Sequence, residues 1–104
     1  MNQPRLVHIP MRPNNAVMCL SGKKTATSRP TQYGNVGDFF QVKDGYCEIT
    51  SVKKMRLGEV AAFHYEEEGC NTTEEFIAEW RQIHPNKGYQ PNWIIFFHTF
   101  KRRY

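Results

Sequence analysis

Within the eight residues Gly22-Lys23-Lys24-Thr25-Ala26-Thr27-Ser28-Arg29, the chain gathers two ammonium groups, two threonine hydroxyls and a guanidinium. A lysine whose proton affinity is lowered by neighbouring cations can act as a base at neutral pH, and a threonine hydroxyl three positions away is a nucleophile that needs one. The competing reading of the same residues is a solvated loop, because lysine and threonine ordinarily stay in water.

Which reading holds depends on the elements around the segment. Leu6-Val7-His8-Ile9 is a short apolar run closed by Pro10, suited to a first strand. Asn14 to Leu20 carries Ala16, Val17 and Leu20 at helical spacing, with Pro13 at the start and Ser21-Gly22 as the stop. The lysines and threonines therefore follow at a turn, in a loop or the next strand. Phe39 to Val42, the Lys43-Asp44-Gly45 turn and Tyr46 to Val52 predict a hairpin. Leu57 to Tyr65 reads as a short helix, with Glu68 at its exit before Gly69. Thr72-Thr73-Glu74-Glu75 opens a capped helix whose apolar face is Phe76, Ile77, Trp80 and Ile83, with Trp80 expected in the core. His84-Pro85 ends that helix. Trp93 to Phe100 is apolar on both alternating faces, as a central strand would be.

At 104 residues the chain fits one domain, residues 1–104, with a core that needs no staples. Its 14 Lys and Arg against 10 Asp and Glu bias it toward anionic partners such as RNA or nucleotides. The bases gather at Lys23-Lys24, at Lys53-Lys54-Met55-Arg56 and at Lys101-Arg102-Arg103. Cys19, Cys47 and Cys70 are too few and too far apart for a disulfide framework and read as reduced thiols. His8, His64, His84 and His98 have no metal-ligand spacing with one another or with the cysteines, so neither a metal nor another cofactor is expected. The first residues lack an apolar signal core and the run Trp93 to Phe97 is too short to span a bilayer, so a cytoplasmic protein without a membrane partner is expected.

The order of strand, helix closed by Gly-x-Lys, loop to Arg, hairpin, Glu-Gly, capped helix with tryptophan and final aromatic strand resembles the ASCH domain over most of the chain. The resemblance implies an α+β, PUA-like fold: a mixed β-barrel with helices packed around it. The family's Gly-x-Lys-x-x-Glu-x-Arg segment is matched by Gly22, Lys24 and Arg29, whereas Thr27 stands where many members carry glutamate. At that point the chain is similar to the small bacterial amidohydrolases that remove acetyl from N4-acetylcytidine, which read Gly-x-Lys-Thr-x-Thr-x-Arg as Gly22, Lys24, Thr25, Thr27 and Arg29 do. By this resemblance the catalytic set is Lys24, Thr27 and Glu68, with Glu67 the alternative carboxylate, and the reaction gives cytidine and acetate from N4-acetylcytidine and related N4-acylated cytosine nucleosides.

Amide hydrolysis needs a nucleophile, a base for its proton and a donor for the departing nitrogen. Thr27 can attack, Lys24 can serve as base, and Glu68 can position the amine or relay a proton. Arg29 or a backbone amide can stabilise the oxyanion. Arg29, Thr25 and Tyr33 are the expected substrate-binding residues, Tyr33 being one of four aromatics (with Phe63, Tyr65 and Trp93) able to stack on a pyrimidine. The expected pocket lies between the Lys24–Arg29 loop and the Glu68 helix exit. The expected partner is a nucleoside, with RNA a further one and the chain a monomer. Two other functions fit: an RNA-binding PUA-like module, which basic clusters with aromatics would serve without chemistry, and a single-stranded-RNA ribonuclease.

Overall fold

The protein is described by a computed structural model covering residues 3–103. In chain order its elements are β1 (Leu6–Val7), α1 (Pro13–Ser21), β2 (Ala26–Arg29), β3 (Phe39–Val42), β4 (Gly45–Arg56), α2 (Leu57–Phe63), α3 (Thr73–Ile83) and β5 (Ile94–Arg102). The five strands form one mixed sheet in the order β1-β3-β4-β5-β2, with β1 parallel to β3 and the other pairs antiparallel.

Local chemistry sets most of these boundaries. Pro13 opens α1, where its missing amide hydrogen is no loss, and Gly22 closes it at φ +86°, a left-handed conformation that costs glycine little. The Thr72 hydroxyl accepts the Glu75 amide at 3.0 Å and starts α3, while the Thr73 hydroxyl donates to the Ala61 carbonyl at 2.7 Å and docks α3 against α2. The hairpin turns at Lys43, and β4 continues past Val52 to Arg56 because β5 pairs with it through Ile94.

Each face of the sheet buries its own core. Leu57, Val60, Phe76, Trp80, Ile95 and Phe97 pack beneath α2 and α3. Phe40, Ile49 and Phe100 pack with Ala16 and Cys19 of α1 on the other face. As expected of a central strand, β5 sends side chains into both.

The architecture is α+β as expected, but the sheet does not close into a barrel. Among the described residues β1 and β2 are its two free edges. Closure would need those edges to pair, and β1 has only two residues before the chain turns toward Pro10 and Pro13, neither of which can donate to a ladder. The Arg29 side chain bridges the gap instead, Nη2 donating to the Pro10 carbonyl at 2.8 Å. No helix among the described residues is long and apolar enough to cross a membrane.

Candidate functional site

The Gly22–Arg29 segment is a short turn that enters strand β2 at Ala26, and most of it is withdrawn from solvent. Gly22 and Lys23 are exposed, whereas Lys24, Ala26, Thr27 and Ser28 are buried, the last three within strand β2. Backbone bonds lock the segment in place. The Lys24 amide donates to the Met18 carbonyl at 3.0 Å, and the amides of Thr25 and Ala26 both donate to the Glu67 carbonyl, at 2.8 and 2.9 Å. These bonds lay the chain after α2 across the start of β2 and carry Glu68 to Lys24. Gly69 makes the approach geometrically possible: at φ +91°, a Cβ there would lie 3.0 Å from Met18 Cε and 3.2 Å from Lys24 Cβ.

The result is a buried ion pair. Lys24 Nζ donates to Glu68 Oε1 at 3.1 Å and to the Glu68 carbonyl at 2.9 Å, with the two residues 4% and 5% exposed. The second carboxylate oxygen, Oε2, accepts the Ser28 hydroxyl at 2.6 Å. The sequence suggested that cations would crowd Lys24; its bonded partner is a carboxylate, reached through the fold. Glu67 lies apart, accepting from His64 Nδ1 at 2.7 Å, so of the two candidate carboxylates only Glu68 meets the lysine.

Thr27 and Arg29 alternate with Ser28 along β2 and bond to each other rather than to that pair. Arg29 Nε donates to Thr27 Oγ1 at 3.1 Å, its Nη2 to the Pro10 carbonyl, and its guanidinium carbon lies 5.4 Å from the Tyr33 ring centre. Burial lowers the proton affinity of Arg29 from its ordinary value, opposed by Tyr33 and Glu68. Behind the strand, fully buried His98 completes the support. Its Nδ1–H donates to the Thr27 carbonyl at 3.3 Å and its Nε2 accepts the Tyr33 amide at 3.1 Å, which fixes a neutral tautomer. Burial lowers its proton affinity.

All five of Lys24, Thr27, Arg29, Tyr33 and Glu68 line one cavity of about 410 Å³ between the β2 edge, the start of α1 and the length of α3. That volume lies within the range of about 300–1,000 Å³ usual for small-molecule sites. Thr25 does not line it; its amide and carbonyl are spent on Glu67 and Phe100. Of the four aromatics able to stack on a base, Tyr33 alone lines the cavity, while Tyr65 and Trp93 pack on the core and Phe63 is 76% exposed in solvent.

Several lining residues carry no signal of their own in the sequence. Ser28 is one hydroxyl among three, and only β2 pairing aims it at Glu68. On α3, Trp80 belongs to the core as expected and also lines the cavity, stacked on His84 with ring centres 4.2 Å apart. Asn15 of α1 donates through Nδ2 to Glu79 Oε1 at 2.8 Å, and Cys70 Sγ lies 3.8 Å from Glu79 Oε2. Two buried polar side-chain atoms without partners, Asn15 Oδ1 and Trp80 Nε1, both belong to residues that line the cavity. Among the described residues no group of three His, Cys, Asp or Glu side chains could hold a metal ion.

The fold has solved counterparts. An ASCH domain from Lactobacillus crispatus matches with a TM-score of 0.63 at 18% identity, covering 94% of this chain and 78% of that one. The fold is that of an ASCH domain. A protein from Enterococcus faecalis matches with a TM-score of 0.68 at 17% identity, over 99% of this chain and 78% of that one. A protein from Pyrococcus furiosus gives 0.56 at 13% identity, over 95% and 96%. No protein-family model and no curated protein matches the sequence. At such identities the likeness concerns the ASCH fold alone.

Proposed function

We propose that the protein is an amidohydrolase that converts N4-acetylcytidine, and related N4-acylated cytosine nucleosides, to cytidine and the free acid. The observation that carries this is a buried Lys24–Glu68 pair in the wall of a nucleoside-sized cavity that also presents the Thr27 hydroxyl and the Arg29 guanidinium. A buried ion pair is a weak stabiliser, since desolvation offsets most of its attraction, so its place in a cavity wall favours a chemical role.

In the proposed reaction Thr27 Oγ1 attacks the acetyl carbonyl carbon. The Arg29 Nε–H already donates to that oxygen, which stabilises the alkoxide character it gains. Lys24, after passing a proton to Glu68, takes the hydroxyl proton as the substrate draws the groups together; such contacts are commonly long before substrate binds. The tetrahedral oxyanion is held by Arg29 and collapses with cleavage of the C–N bond, the cytosine N4 leaving with the proton from Lys24. Water then releases acetate from Thr27 by the reverse sequence, with no change of oxidation state. Tyr33 and Trp80 flank the space for the pyrimidine.

A second reading, an RNA-binding module, is favoured by one surface feature. Lys53, Lys54 and Arg56 of β4 and Lys101 and Arg102 of β5 are all exposed on neighbouring strands. The two readings separate by salt. Cytidine release from the neutral nucleoside should be nearly constant between 50 and 200 mM salt, on the order of the range over which phosphate-driven RNA binding weakens steeply. Absence of cytidine release together with salt-sensitive RNA binding would replace the first reading with the second.

A further inference from the structure

The cavity holds two carboxylates, and the proposed reaction uses one. Glu68 has a cation on Oε1 and a hydroxyl on Oε2. Glu79, half-buried on α3 where that helix lines the cavity, has no Lys, Arg or His within ion-pair distance among the described residues. It is nonetheless held in place, Oε1 by the Asn15 amide at 2.8 Å and Oε2 by the Cys70 thiol at 3.8 Å. Burial pushes that thiol up to about 12, with the Glu79 charge adding to the effect, so Cys70 stays protonated as a donor and is no nucleophile at neutral pH. Each ionised carboxylate oxygen has two acceptor positions, so one remains on each oxygen of Glu79.

The guanidinium of Arg29 is the complement. It donates to Thr27 Oγ1, the Pro10 carbonyl and the Met11 sulfur, and has no carboxylate partner among the described residues. Within one cavity, β2 therefore offers donors to an uncharged acceptor and α3 offers a fixed acceptor to a donor. A secondary amide carries both needs in adjacent atoms, a carbonyl oxygen and an N–H. An ester has the carbonyl without the N–H, and an N-alkylated amide lacks the N–H as well.

Resting on the amidohydrolase reading, we infer that Glu79 is a specificity residue that accepts the N–H of the scissile amide, so that the site selects secondary amides over N-alkylated amides and esters. Asn15 and Cys70 are positioning residues for it. Glu79 takes no proton in the reaction; it fixes the amide's orientation, turning the carbonyl toward Arg29 and Thr27.

The test compares kcat/KM for N4-acetylcytidine and for N4-acetyl-N4-methylcytidine, which lacks the N–H, in the wild type, Glu79→Ala and Glu79→Gln, each checked for folding by circular dichroism. The wild type should prefer the N–H substrate by roughly tenfold or more, as a hydrogen bond to a charged acceptor allows. Glu79→Ala should reduce that preference to about twofold or less, while Glu79→Gln, whose amide oxygen still accepts, should keep part of it. The methyl group's own steric effect is common to all three proteins and cancels in the comparison. Asn15→Ala, which leaves the carboxylate present but unanchored, should fall between wild type and Glu79→Ala. A Glu79→Ala protein that keeps the full wild-type preference would overturn this inference and leave the amidohydrolase standing; a wild type that hydrolyses neither substrate would overturn both.

Discussion

Lys24→Met keeps most of the lysine's volume and removes its charge, leaving the Glu68 carboxylate 5% exposed with one remaining side-chain donor, Ser28. Deleting one partner of a buried pair costs about 3–5 kcal/mol, because the other charge stays desolvated. In a domain of this size each kcal/mol moves Tm by about 4–8 °C, so the variant should melt at least ~12 °C below the wild type. Replacing both members, Lys24→Met with Glu68→Leu, removes the stranded charge. It loses only the Ser28 bond and the bond to the Glu68 carbonyl, so stability should return to within about 2 kcal/mol of the wild type. Urea denaturation followed by circular dichroism on the four proteins closes the cycle, with an expected coupling of at least ~2 kcal/mol. Single variants costing under about 1 kcal/mol, as exposed pairs do, or a double variant costing the sum of the two, would show that Lys24 and Glu68 are not coupled as a buried pair.

Three further outcomes follow from the same geometry. Ser28→Ala removes a donor to the buried carboxylate and should cost about 1.5–3 kcal/mol in urea denaturation. Gly69→Ala forces a Cβ against Met18 and Lys24 at positive φ, and should cost about 1–3 kcal/mol and reduce cytidine release by displacing Lys24. For His98, burial lowers the folded-state proton affinity, so below the ordinary imidazole value of 6.5 the unfolded chain binds more protons than the folded one. Stability should therefore fall as pH drops below that value and level off above it, and His98→Gln should flatten the slope in denaturation measured from pH 5 to 8, on the order of the range where histidine titrates.

Local rules made much of this ASCH fold legible. Gly22 and Thr72 mark helix ends through chemistry confined to a few residues, and the β3–β4 hairpin announces itself in its turn. Strand β2 is harder to read because Ala26-Thr27-Ser28-Arg29 lacks the apolar alternation of a half-buried strand; its burial comes from β5 on one side and from α1 and α3 around the cavity. The same holds at the site. Lys24, Thr27 and Arg29 are visible as a cluster in sequence, but which of them touch is decided by strand alternation and by the path of the chain through Gly69. Glu79 reads as a polar helix residue beside Trp80, and nothing in α3 alone reveals that Asn15, 64 residues away, fixes its carboxylate. Barrel closure was expected from the resemblance, and two residues of β1 followed by prolines do not supply it.

In the proposed reaction the Thr27 hydroxyl is the reacting group. Thr27→Val preserves the shape of the side chain and removes its oxygen, so it tests the chemistry with the Lys24–Glu68 pair left intact. The most direct measurement is kcat for cytidine release from N4-acetylcytidine by the wild type and by Thr27→Val, with folding verified for both. Measurable turnover by the wild type and a fall of about 10²-fold or more in the variant are expected. Equal turnover by the two proteins, or none by a folded wild type, would rule out Thr27 as the nucleophile of such a hydrolase.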